Sequence, residues 1–116
     1  MSRKLLGGFF IAAGLNHFAI PGYYRRIVPP SLQEHAPAVV ALSGVAEILG
    51  GTGALIRPTR RLAGAWLVMV LAAVFPANLY MAREPEAFPR IPRWALYARL
   101  PLQPLMMVWA WRATRG

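Results

Sequence analysis

The run APAVVALSGVAEILGGTGALI, residues 36–56, carries a single formal charge, Glu47, near its middle. A helix needs about 20 mostly apolar residues to cross the hydrocarbon core of a bilayer, and this run has that length. Three further stretches read the same way. Residues 5–20 hold no Lys, Arg, Asp or Glu, and only Asn16 and His17 are strongly polar. Residues 62–82 hold no formal charge, and residues 94–111 are apolar apart from Arg99 and Gln103. The expected fold is therefore an all-α integral membrane four-helix bundle in one domain, residues 1–116, with spans at about 5–20, 36–56, 62–82 and 94–111. Breakers fall between the spans. Pro21-Gly22 and Pro29-Pro30 interrupt the first connection, Arg57-Pro58-Thr59-Arg60-Arg61 makes the second, and Pro85, Pro89 and Pro92 interrupt the third.

Composition agrees. Of 116 residues, 57% are hydrophobic and only 15% charged, against roughly 25% charged in a soluble globular domain. A chain this short keeps much of its surface exposed and lacks the polar residues to cover it. Cysteine is absent, which excludes disulfide frameworks, Cys-ligated zinc, iron–sulfur clusters and CxxC thiol chemistry. The net charge of +9 comes from 13 Lys and Arg against 4 acidic residues. Nearly all of these basic groups sit at span ends and turns, where they meet anionic headgroups, so membrane lipids rather than nucleic acid are the expected partners.

Arginine placement sets orientation. Arg3, Lys4, Arg57, Arg60, Arg61, Arg112 and Arg115 share one side, against Arg25, Arg26, Arg83, Arg90 and Arg93 on the other. Under the positive-inside rule both termini are cytoplasmic. Tryptophans and tyrosines lie mostly near span ends, as headgroup anchors do. Arg3-Lys4 before an apolar run also resembles a signal peptide, but no small-residue cleavage pattern follows.

Polar groups inside the spans mark the candidate site, because an ionisable group at depth is unfavourable by about 2.5–3.5 kcal/mol on insertion scales. Glu47 is the deepest such group. Arg99, several residues into the fourth span, is its expected ion-pair partner; alternatively Glu47 stays protonated. With the termini inside, Asn16 and His17, Asn78 and Tyr80, and Arg99 and Gln103 all fall in the outer half of their spans. Ser43 lies one turn outward of Glu47. These eight residues predict a polar cavity in the outer half of the bundle. Asn16, Ser43 and Gln103 are individually typical of interhelical hydrogen-bond glue. Only His35 is available to join His17 as an imidazole, and neither has ligand-like spacing, so no metal site is expected. The glycines at 7, 8, 14, 44, 50, 51, 53 and 64 read as points of close helix packing. Pro76 frees the carbonyl of Ala72, and Pro101 and Pro104 interrupt the fourth span, which is tolerated where backbone faces protein or a cavity.

Several blocks resemble the DoxX-like family of small bacterial membrane proteins. They are Gly14 with His17-Phe18, Pro21, Tyr24 and Ile27-Val28-Pro29-Pro30; residues 42–51; Arg60-Arg61-Leu62-Ala63-Gly64; residues 75–82; and Arg99-Leu100-Pro101-Leu102-Gln103 with Trp109. The resemblance implies four helices in the bacterial cytoplasmic (inner) membrane. It carries His17, Glu47, Asn78, Arg99 and Gln103 over as motif residues. Some members of that family are subunits of quinone-linked sulfur oxidoreductases, and distant relatives are assembly factors.

The expected function is binding of a small amphipathic ligand, a quinone or a lipid-like molecule, in the outer cavity. The alternatives are an accessory subunit of a quinone-linked membrane oxidoreductase, or a structural or assembly factor. Oxidoreductase subunits or further copies of the chain would then be its protein partners. No nucleophile–base pair, metal site or nucleotide loop is visible, so independent catalysis is not expected.

Overall fold

A computed structural model describes residues 2–89 and 91–115 of the chain; Arg90, assigned above to the outer side, lies outside them. The described residues form five α-helices and no strand: α1 (Ser2–Ala19), α2 (Pro21–Ile27), α3 (Ala36–Leu55), α4 (Arg60–Arg83) and α5 (Arg93–Ala113). Short 3₁₀ turns at Pro30–His35, Arg57–Thr59 and Pro85–Ala87 link them. The all-α expectation holds, with α1, α3, α4 and α5 on the four apolar stretches. A fifth, seven-residue helix, α2, follows the first of them. Pro21 ends α1 but also opens α2, because its fixed φ suits the first helical turn. The chain bends by 95° there, so a segment read as loop folds across one end of the bundle.

Two stretches, Pro30–Leu55 and Arg57–Arg83, are long and apolar enough to cross a membrane, and α1 with α2 passes as a third when the bent pair is taken as one span. The α5 helix does not reach that measure. Arg93, Arg99, Arg112, Gln103 and two internal prolines dilute its apolar content, although it runs unbroken through Pro101 and Pro104. Large apolar side chains cover the outside: Leu42 and Met69 are each 70% exposed and Leu105 is 64% exposed. A monomer in water rarely leaves so much apolar surface uncovered.

Glycines bring α1 and α3 together. A Cβ on Gly14 would lie 2.5 Å from the Gly44 carbonyl oxygen, and one on Gly7 would lie 2.8 Å from that of Gly51. Both distances are far inside van der Waals contact, so no larger residue fits without moving a backbone. Gly8 is the exception among the glycines expected to pack closely, since a Cβ there would meet nothing within 4 Å. Leu6, Phe10, Leu67, Leu71 and Ala110 fill the core nearest the termini. Ile27, Met81, Phe88 and Leu96 form a second cluster at the α2 end. The site lies between them.

Candidate ligand cavity

A cavity of about 310 Å³ runs between α1, α3, α4 and α5, with α2 at its end. Its walls are mostly apolar, formed by side chains such as Phe10, Val40, Leu71 and Met106. Six of the eight residues singled out from the sequence line it: His17, Ser43, Glu47, Asn78, Arg99 and Gln103. Its volume falls within the range of small-molecule sites, which are commonly apolar with a few placed polar groups.

His17 and Glu47 are both buried, and His17 Nε2 lies 3.1 Å from Glu47 Oε2. This corrects the expected pairing of Glu47 with Arg99. The glycines explain the partner choice. Gly14 is three residues before His17 and Gly44 three before Glu47, so the closest approach of α1 and α3 falls on the faces that carry the pair. The other ring nitrogen, Nδ1, is 2.8 Å from the Ala13 carbonyl oxygen. A carbonyl only accepts, so Nδ1 carries a proton. The Tyr24 ring stacks on the imidazole, with centroids 3.9 Å apart and planes 17° from parallel.

Arg99 turns instead toward α2. Its Nη1 donates to Tyr23 Oη at 3.1 Å and reaches Met81 Sδ at 3.5 Å. The 95° bend that forms α2 delivers Tyr23 to this position, which a reading of residues 21–30 as loop does not anticipate. Among the described residues no carboxylate comes within 4.0 Å of the guanidinium.

Asn78 and Gln103 form a directional relay. Gln103 Nε2 donates to the Leu71 carbonyl at 2.7 Å, and Asn78 Nδ2 donates to Gln103 Oε1 at 2.8 Å. The Leu71 carbonyl can only accept, which fixes the orientation of both amides. Leu71 is one residue before Ala72, whose carbonyl Pro76 deprives of its helical donor, so the relay supports α4 where its hydrogen bonding is interrupted. Asn78 Oδ1 is buried and has no partner among the described residues.

Asn16 and Tyr80 do not reach the cavity. A helix turns about 100° per residue, so Asn16 points away from His17, and Tyr80 lies about 200° round from Asn78. Asn16 is exposed and donates to Tyr24 Oη at 2.9 Å. Tyr80 packs edge-on against Phe88 with centroids 5.9 Å apart. Tyr23 and Tyr24, read above as headgroup anchors and, for Tyr24, as part of a family-like block, are the site residues that the sequence reading missed. Their one signal is Pro21 at a helix-opening position two residues ahead.

The fold and site define an all-α bundle with a mostly apolar internal cavity and polar groups from four helices at its walls. A family model described as "Domain of unknown function (DUF8561)" matches residues 6–114, and the chain belongs to that family. This match overturns the DoxX-like resemblance, whose blocks consist largely of glycine-rich apolar helix with sparse polar residues, a pattern that helix packing in membranes favours generally. No curated protein and no solved structure matches the chain.

Proposed function

We propose that this is a small multi-pass protein of the cytoplasmic (inner) membrane, with both termini inside, whose cavity binds a small amphipathic ligand, quinone-like or lipid-like. The membrane reading rests on the exposed leucines and methionine, on the candidate spans and on a long dimension of 43 Å. A bilayer with its headgroups is about 40–45 Å thick. The binding reading is carried by one observation: His17, Glu47, Asn78 and Arg99, from four different helices, converge on a single cavity. Glue between helices accounts for the Asn78–Gln103 relay, but it does not require an arginine and a histidine–glutamate pair facing the same space. Mass spectrometry of the protein purified in mild detergent and in lipid nanodiscs tests the reading. A small amphiphile should be retained at near one per chain and be lost when Ala13→Phe fills the cavity. An empty cavity in both preparations overturns it.

A further inference from the structure

The cavity's charges select a ligand class. His17 Nδ1 is protonated because it faces the Ala13 carbonyl at 2.8 Å. At 3.1 Å, Nε2 and Glu47 Oε2 need one proton between them, since two lone pairs would otherwise face each other. Whichever atom holds that proton, the pair is neutral as a unit. Asn78 and Gln103 are neutral and bonded to each other. That leaves Arg99, which lines the cavity and whose guanidinium has a phenol and a thioether as its polar neighbours. Arginine stays charged, and among the described residues no carboxylate lies within 4.0 Å of it, so an anion in the cavity would meet an uncompensated positive charge.

We infer that the occupant is a monoanionic amphiphile, with one carboxylate or phosphate head on Arg99 and its apolar body along the Phe10, Val40 and Leu71 wall. This rests on the proposal that the cavity is a ligand site and narrows it. A neutral quinone would supply carbonyl acceptors but leave the charge uncompensated. A dianion would put a second charge among neutral groups. A free fatty carboxylate and an anionic phospholipid both present this chemistry, a single charge on an apolar tail.

The test uses the full chain in nanodiscs of zwitterionic lipid, titrated calorimetrically with decanoate, with decanamide and with a short-chain benzoquinone. Decanoate should bind at least tenfold tighter than decanamide. Arg99→Gln should abolish that preference, while Arg99→Lys and the exposed control Arg83→Gln keep it. Doping the nanodiscs with phosphatidylglycerol distinguishes the sources: loss of decanoate binding identifies the phospholipid as the occupant, and unchanged binding identifies the free acid. Equal affinity for decanoate and decanamide, or a preference that survives Arg99→Gln, overturns the inference. Binding of the benzoquinone alone overturns the anionic class but leaves the ligand site standing. Binding of none of the three overturns both.

Discussion

His17 Nε2 and Glu47 Oε2 meet at 3.1 Å because two glycine faces let α1 and α3 approach closely one turn away. The pair is buried, so its two members are not equivalent to lose. Removing one partner of a buried pair typically costs about 3–5 kcal/mol, whereas replacing both by apolar groups is often neutral. His17→Leu should therefore destabilise the protein by about 3 kcal/mol or more, and His17→Leu with Glu47→Leu should recover most of that loss. Glu47→Gln is milder, within about 1 kcal/mol, because its amide can donate to the imidazole Nε2. Thermal or denaturant unfolding in a fixed detergent checks the order. A double variant as unstable as His17→Leu alone would show that the pair is not acting as a unit.

The helix approach that creates this pair makes its own prediction. Gly44→Val should cost about 1–3 kcal/mol through overpacking, because its Cβ would lie 3.0 Å from both the Gly14 carbonyl oxygen and His17 Cβ. Gly8→Ala faces open space and should stabilise by roughly 0.5–1 kcal/mol through helix propensity alone. The two melting temperatures should move in opposite directions. A shared direction would mean that α1 and α3 are not held by the contacts at Gly14 and Gly44.

Height along the bundle was legible in the sequence; the angle around each helix was less so. Charge-free runs and their breakers placed α1, α3, α4 and α5, and the shared depth of His17, Glu47, Asn78, Arg99 and Gln103 anticipated residues that line one cavity. Depth alone does not separate Asn16 from His17 or Tyr80 from Asn78, which differ in helical phase rather than height. It also paired Glu47 with Arg99 rather than with His17. Arg99 turns instead to Tyr23 on α2, a helix whose seven residues are too few to show a periodic apolar face. The DoxX-like resemblance failed for a related reason: short Gly-rich apolar blocks record packing needs more than ancestry.

The Asn78–Gln103 relay predicts a sharp response at Gln103. Gln103→Leu leaves the Asn78 amide without its acceptor and strips the Leu71 carbonyl of its side-chain donor. A buried group left unsatisfied costs about 1–3 kcal/mol. Gln103→Leu combined with Asn78→Leu should cost less than the sum of the single changes, because the second removes an amide already orphaned by the first. A double-mutant cycle by chemical unfolding measures this coupling. Strict additivity would mean that the two amides do not depend on each other.

The absence of native cysteine makes the topology directly testable by single-cysteine labelling. Ser31→Cys, Pro58→Cys and Ala87→Cys sit at exposed positions in the three connections and leave every basic residue in place. With both termini inside, a membrane-impermeant maleimide added to intact cells stripped of outer membrane should label Ser31→Cys and Ala87→Cys. Pro58→Cys should react only after lysis. Labelling of Pro58→Cys together with Ser31→Cys before lysis would place those two connections on one side and remove α3 as a span. Ala113→Cys, at the end of α5, then decides the helix count. Protection like that of Pro58→Cys means α5 crosses despite Arg99, with the bundle shielding the guanidinium from lipid. Labelling like that of Ala87→Cys means α5 does not cross, and the cavity's fourth wall is then built by a helix that stays on the outer side.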